Sequence, residues 1–567
     1  MTAAYQKLLA DGRVTTRNLK IATSHYYVRF LPSNELERNK LLEDSTLEFF
    51  DYPLDYEILR GGLYYQDPSI PDSMVTWQYT VIPVGKRFPS FNHEVLAELY
   101  IPEEVANDKD PAYGSDPDLE QMLVNQALLL VGDPEGEPFD AQKNAFWNRP
   151  PKWNPSGRIR VFDNEVNAFI PVRGAKVRAR RWFIFKKDLT DANGNYQTGS
   201  FRRAVHYSIK WERGRYDIRK GSVFQAYLNG PKLRAPWNRD IARGGSTYHI
   251  AHMHRGAERY FYGDIGGLRR PGIWTKLKIA YISSQGSGVN WGQGWQLFLG
   301  PVGLLIPNIK VWGYSTNSGN YKDSERIFST TIHEIAHSSH IKLMSLGLIS
   351  FAQVEKRIYE SWATCIEWYV TDIEYRALGI NNYGNPNNFL NPRNWLHYQR
   401  WDPSTNSYGT TYTPLFIDFV DDFNQSLRIG TMPSNRCPVG GTFDGANCEV
   451  GTPPSGENAF IWDNNFYYTP VGANGCPYPG SFYDGANCYV NNIPNNHIGF
   501  VHNNKWYYFP AGNDDFPYDQ VRGYTMSNLE KNVVKHSYGM TSLRTALKQN
   551  KPTDVTDRQL DVYLSYY

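Results

Sequence analysis

The chain has no apolar run approaching the ~20 residues that a membrane-spanning helix requires. The longest run near a helical stretch, Ala127–Val131, is far too short, so no transmembrane span is expected. Net charge is also nearly absent: 59 Lys and Arg against 57 Asp and Glu give +2. Such a balance gives no bulk electrostatic case for nucleic acid or an anionic membrane as partner. The stretch Met1–Lys7 lacks a signal-peptide core, so the chain is expected either to be cytosolic or to start after a removed signal. Cysteine is scarce, with 5 in 567 residues, and no C-x-x-C pair occurs. That spacing disfavours a four-cysteine zinc site. The Gly-rich stretch Ser287–Gly294 has no Lys-Ser/Thr after it, which excludes a P-loop and leaves a plain loop.

Aromatic residues, by contrast, reach 15 %, with 40 Tyr and 16 Trp, a richness that suits β-rich secreted proteins. Four of the cysteines lie in a repeat. Cys437-Pro438 runs to Asp444-Gly445-Ala446-Asn447-Cys448, and Cys476-Pro477 runs to Asp484-Gly485-Ala486-Asn487-Cys488. The spacing predicts disulfides Cys437–Cys448 and Cys476–Cys488, and with them an extracellular or cell-surface location. The segments Asn464–Pro470 and Asn504–Pro510 recur with the same period of about 40 residues, as in two β-hairpin units. Their aromatics pack small cores or grip a surface or glycan ligand. Cys365, in a helical pattern, reads as a small buried hydrophobe.

In order, residues 1–102 read as a small α/β accessory domain. Strands are predicted at His25–Phe30, Leu47–Phe50 and Thr76–Val81, with a helix over 34–42. Residues 103–155 form an acidic, Pro-rich linker with a helix at Leu119–Val131. Its acidic cluster suits a solvated face better than calcium. Residues 156–220 alternate in strand fashion at Arg158–Phe162, Ala175–Ala179 and Val205–Trp211. Asn193-Gly194 signals a type I′ hairpin, which wins over a calcium loop at Asp191, Asn193 and Asn195. Lys176, Arg178, Arg180, Arg181, Lys186, Lys187, Arg202 and Arg203 are expected on outward strand faces, towards the acidic linker. The pattern from Pro171-Val172 to Lys176-Val177 and on to Thr190–Tyr196 resembles the transthyretin-like regulatory domain found beside carboxypeptidases and on bacterial surface proteins. The resemblance implies a β-sandwich.

Residues 221–434 surround the chemistry-bearing stretch, His333-Glu334-Ile335-Ala336-His337. Residues i and i+4 of a helix share a face, so the two imidazoles can meet one metal ion. Glu334 then leans beside the metal, placed to take a proton from a ligating water. Asp323 or Ser324 supplies an N-cap, and Ile327, Phe328, Ile332, Ile335 and Ala336 an apolar stripe ending near His340. His340 shares that face but sits ~10 Å along the axis from His333, which suits a neighbouring or rim role. Strands are predicted at Lys276–Ile282 and Asn308–Tyr314, the second as the edge on which an extended peptide pairs. Ser350–Gln353 has capping-box form and opens a second helix carrying Glu360-Ser361-Trp362-Ala363 and, two turns on, Glu367. After the repeats at 435–513, residues 514–567 contain helices at 527–535 and 540–549 that pack back on this domain.

The metzincin continuation is absent, since His340 stands where that family has Gly. The two helices instead resemble the gluzincin clan of zinc metallopeptidases, whose third ligand is a Glu on a later helix in a Glu-Gly/Ser-aromatic-Ala context. The resemblance implies Zn2+ held by His333, His337 and Glu360, with Glu367 in reserve. It also implies Glu334 as general base and a protein or peptide substrate. It calls further for an oxyanion-stabilising Tyr or His; Tyr369, Tyr375, His536 and Tyr538 are available, and no motif chooses among them. The architecture, expected to be α+β and multidomain with a zincin-like catalytic domain, is similar in style to Bacteroidetes-type cell-surface metalloproteins. The alternative is a structural or adhesive surface protein on a catalytically inert zincin-like scaffold.

Overall fold

The structure is a computed structural model. It describes residues 1–14, 21–44, 46–56, 64–71, 74–101, 117–133, 151–221, 224–272, 276–290, 308–316, 318–344, 353–380, 411–420, 521–564 and 567, with backbone strand pairs between 400 and 510. The protein is mixed α+β, with several sheets and flanking helices. Among the described residues no helix is long and apolar enough to cross a membrane. The acidic cluster expected before Leu119 lies outside the described residues.

At the N-terminal end, α1 (Thr2–Ala10) packs on α3 (Pro117–Leu130) through Tyr5, Leu8, Leu119 and Leu123. Between them in sequence, β1 (His25–Phe30) is the centre of an antiparallel sheet flanked by β2 (Gln78–Pro83) and β3 (His93–Leu99). Helix α2 (Glu35–Leu41) starts where the Asn34 side chain accepts the Glu37 amide. The strand expected at 47–50 is reduced to one bridge, Phe50 to Tyr79. Leu47, Glu48, Phe49 and Phe50 are all buried, so this stretch lacks the two-faced exposure of an alternating strand.

Two sheets then share one core of Ile159, Val161, Val177, Ala179, Tyr207, Ile209 and Trp211. The first joins β6 (Lys176–Arg181), β7 (Ile184–Leu189), β9 (Val205–Lys210) and β12 (Tyr227–Leu233). The second joins β4 (Ser156–Asp163), β5 (Ala168–Pro171), β8 (Asn195–Gln197) and β13 (Arg239–Ile241). The Asn193-Gly194 turn does not close a hairpin between neighbours. It carries the chain from β7 in one sheet to β8, which pairs with β4 in the other. Asp191 fixes the turn by accepting the amides of Asn193 and Asn195, both at 2.8 Å. Gly194 has φ +78°, and a Cβ there would lie 2.4 Å from the Ile159 carbonyl oxygen. The basic residues also depart from expectation. Arg178, Arg180 and Arg181 point inward, buried against Glu48, the Leu54 carbonyl and the Ala204 carbonyl.

The central sheet runs β11 (Phe224–Gln225), β10 (Tyr216–Lys220), β14 (Leu277–Gln285), β16 (Ile309–Tyr314) and β15 (Gly288–Asn290). Its three inner strands are parallel and both edges antiparallel. Strand β16 is therefore not the edge; β15, from the Gly-rich stretch read as a loop, takes that place. One face packs on α4 (Gly245–Tyr262) and α5 (Ser324–Leu343). On the sheet itself, Lys278 and Arg219 meet Glu35 of α2 at 3.3 and 2.9 Å. A second long helix, α6 (Lys356–Ala377), lies along α5. It starts at Lys356 with Glu355 as N-cap and Gln353 in the preceding turn, and Ser350 of the expected capping box lies outside the described residues. A buried network ties these parts together. Arg255 of α4 reaches Asp163 at the end of β4 (3.0 Å) and Glu374 of α6 (2.8 Å), and Tyr375 donates to the same Asp163 (3.0 Å).

Between residues 420 and 521 the described backbone forms four antiparallel pairs: the short Thr442–Phe443 with Cys448–Glu449 and Phe482–Tyr483 with Cys488–Tyr489, and the longer Glu457–Trp462 with Asn465–Pro470 and His497–His502 with Lys505–Pro510. The side chains of the four repeat cysteines lie outside the described residues. Cys365 is buried, as expected. The stretch expected as one helix at 527–535 divides into a short α piece at Met526–Asn528, a π-helical turn at Leu529–Val533 and a 3-10 turn at Val534–His536. This tail packs on α6: Tyr538 O accepts Glu355 N at 2.7 Å, and Met526 Sδ touches Cys365 Sγ at 3.7 Å.

Candidate metal centre

Helix α5 exists because its apolar stripe, Ile327, Phe328, Ile332, Ile335 and Ala336, is fully buried. Its start is held differently from expectation. Asp323 occupies the N-cap but turns its carboxylate to Arg243 (2.7 Å), and Asn164, just past β4, accepts the Ser324 amide at 3.2 Å.

His333 and His337 stand one turn apart on α5 and face Glu360 of α6. Glu360 Oε2 lies 3.2 Å from His333 Nε2 and 3.3 Å from His337 Nε2. One ligand atom from each of the three residues falls within 4.8 Å of the others. Glu367 does not share this convergence. It sits behind His333, with Oε2 2.9 Å from Nδ1. A proton on Nδ1 is therefore spoken for, and Nε2 is left facing Glu360 and His337.

The electrostatics ask for a cation. Burial would lower the His333 imidazole, but hydrogen bonds to Glu360 and Glu367 outweigh it and lift the ring to about 10. Burial pushes Glu334 up to about 8; His333 opposes this, while the charges of Glu360 and Glu367 reinforce it. Burial pulls in the opposite direction, but Glu360 is held below the usual carboxylate range by His333 and His337, and Glu367 by His333. Burial lowers His337. Two buried acidic side chains, Glu334 and Glu367, and the partly buried Glu360 thus surround the His333 imidazole. Two imidazole nitrogens and a carboxylate oxygen are a donor set that zinc accepts, and the metal would replace the proton that His333 otherwise holds.

Around this centre stand residues that the sequence did not announce. Tyr359, next to Glu360, packs edge-on to His337 with ring centres 5.6 Å apart. Tyr412 is half exposed, its ring centre 6.0 Å from that of His333. It is carried there by buried Ser361, whose Oγ lies 2.7 Å from Thr413 Oγ1 and donates to the Thr411 carbonyl at 3.2 Å. The edge strand completes the site. A Cβ on Gly288 would lie 2.2 Å from Glu334 Oε1 and 2.9 Å from Thr330 Cγ2, so its backbone runs directly over the proposed base.

The other expected residues are elsewhere. His340 is not at a rim: it is buried, and burial pushes its ring down to about 3. Tyr375 is buried with its hydroxyl on Asp163. Tyr369 packs against Gly266, His536 is exposed in the 3-10 turn, and Tyr538 binds Glu355 through its backbone. None of these four is among the residues gathered at His333, His337 and Glu360. Tyr359 had a local signal, adjacency to Glu360; Tyr412 had none. No family model, no curated protein and no solved structure matches the chain, and the functional reading therefore stands on this geometry alone.

Proposed function

We propose that this chain is a zinc-dependent peptidase that hydrolyses peptide bonds. The observation that carries the reading is the convergence of His333 Nε2, His337 Nε2 and Glu360 Oε2, with Glu334 beside them. Zinc bound there would polarise the scissile carbonyl and lower the pKa of a ligating water. Glu334 would accept the proton of that water and return it to the leaving nitrogen. Glu367 fixes the orientation of His333. Tyr412 takes the oxyanion-stabilising role for which Tyr369, Tyr375, His536 and Tyr538 were candidates. An extended peptide adds to β15, the edge of the central sheet among the described residues, which brings its backbone over Glu334. The α5–α6 pair with this edge is the zincin-like part of the reading.

The same reading places the chain outside reducing compartments, with Cys437–Cys448 and Cys476–Cys488 as disulfides and the hairpin repeats as a surface for a protein or glycan ligand. Glu334→Gln tests the central claim. Cleavage of casein or of a peptide library should vanish while zinc stays bound at one ion per chain. Wild-type protein that holds zinc and cleaves neither substrate overturns the peptidase reading and leaves an inert scaffold.

A further inference from the structure

The path by which the chain reaches β15 is unusual. Strand β14 ends at Gln285, pairing with Tyr314, and β15 begins at Gly288, pairing with Val311 on the opposite side of β16. Gly286 and Ser287 therefore carry the backbone across the end of β16. The crossing is close: a Cβ on Gly286 would lie 2.4 Å from Trp312 Cγ. Gly286 N reaches the Tyr314 carbonyl at 3.0 Å, and Ser287 O accepts Trp312 N at 3.3 Å.

Lys322 fastens this crossing from the far side. Its own amide is bound to the Gly313 carbonyl at 2.9 Å, so its backbone is fixed to β16. Its carbonyl accepts a ring N–H of His249 at 2.8 Å. Its buried Nζ donates to both crossing carbonyls, Gly286 O at 2.7 Å and Ser287 O at 3.2 Å. Immediately after these carbonyls comes Gly288, in contact with Glu334 and Thr330. An ammonium bonded to two consecutive carbonyls leaves the next residue little freedom to lift.

We propose that Lys322 is a positioning residue that sets the height of the substrate-binding edge strand over Glu334. The role rests on the peptidase reading only in calling that strand substrate-binding. Lys322 reaches no substrate atom itself; it acts through Gly286, Ser287 and Gly288.

The test compares full-length zinc-loaded wild type, Lys322→Met and Lys322→Arg. Hydrogen exchange over residues 283–290, read by mass spectrometry, should rise about tenfold in Lys322→Met, the loss expected when charged hydrogen bonds disappear. Zinc should stay at one ion per chain. KM for an internally quenched peptide should rise about tenfold, more than kcat falls, because the strand binds peptide and the metal ligands are untouched. Lys322→Arg, which keeps a donor for the carbonyls, should recover most of both effects. Gly288→Ala serves if Lys322→Met does not fold: its methyl pushes the strand off Glu334 with Lys322 intact, and KM should rise in the same way. Unchanged exchange at 283–290, or raised exchange with unchanged KM, overturns the proposal. If no peptide is cleaved even by wild type, the peptidase reading falls, and the exchange measurement alone decides whether Lys322 holds the strand.

Discussion

Replacing Glu367 distinguishes a ligand from a residue that orients one. If Glu367 only holds His333, Glu367→Gln keeps the arrangement, since the amide carbonyl can still accept from Nδ1–H. What disappears is the charge on the acceptor across the 2.9 Å contact. A charged hydrogen bond contributes about 1.5–3 kcal/mol and a neutral one about 0.5–1.5, so roughly 1–1.5 kcal/mol is lost. Passed on to the metal through one of its three ligands, that weakens zinc binding by about tenfold. Glu367→Ala removes the acceptor and frees the ring to rotate, for a loss of about 10- to 100-fold. Glu360→Gln deletes a ligand and should cost more than either. Competition against a chromophoric zinc chelator at constant pH measures all three. An affinity of Glu367→Ala equal to wild type would refute the reasoning, as would a loss in Glu367→Gln as complete as in Glu360→Gln.

Two further outcomes follow from the surrounding structure. Helix α4 buries His249, His252 and His254, and burial, the largest cause, lowers them to about 4, 3 and 4. Their folded pKa values lie below the unfolded value of 6.5, so the unfolded chain binds more protons between those limits. Stability is whole above pH 6.5 and falls as pH drops through the window, by about 2 kcal/mol per ring at pH 5 for a folded pKa near 4. Urea midpoints at pH 7 and 5 measure this, and His254→Gln should remove its share of the decline; an equal midpoint at both pH values contradicts it. Ser361→Ala deletes the hydroxyl that holds Thr411 and Thr413. It should cost about 1 kcal/mol in urea unfolding and lower kcat through Tyr412, with zinc affinity unchanged; a loss of zinc would instead place Ser361 in the support of the ligands.

The parts legible in the sequence are those whose partners are local or periodic. The α5 stripe and the His333–His337 spacing follow from one helical turn, and strands β4, β6, β9, β14 and β16 from alternation or apolar content. Glu360 was legible only through the family resemblance. What stayed hidden depends on distant partners. Gly288-Val289-Asn290 carries almost no strand signal, because an edge strand borrows its pairing from β16. Arg178 looks like a solvent-facing strand residue until Phe50 and Tyr227 are seen under its guanidinium, 4.4 and 5.0 Å away. Asn164 caps α5 from a loop far upstream, a relation no local pattern encodes. Tyr412 reaches the site through Ser361, which in sequence is only the residue after Glu360.

The two ends of the repeat segment meet. Phe419 O accepts the amide of Tyr524 at 2.9 Å, and their rings lie 5.2 Å apart. Leu415, Phe416 and Phe419 on one side and Val521, Tyr524 and Met526 on the other belong to the same core. The described chain thus leaves this core and re-enters it through one doorway, so that the segment between is closed at its ends. The scaffold's stability is then nearly indifferent to the loop's length, since each doubling costs only about 0.6 kcal/mol of closure entropy. Segments inserted at this doorway can be lengthened, exchanged or lost while the His333, His337 and Glu360 cluster keeps its geometry.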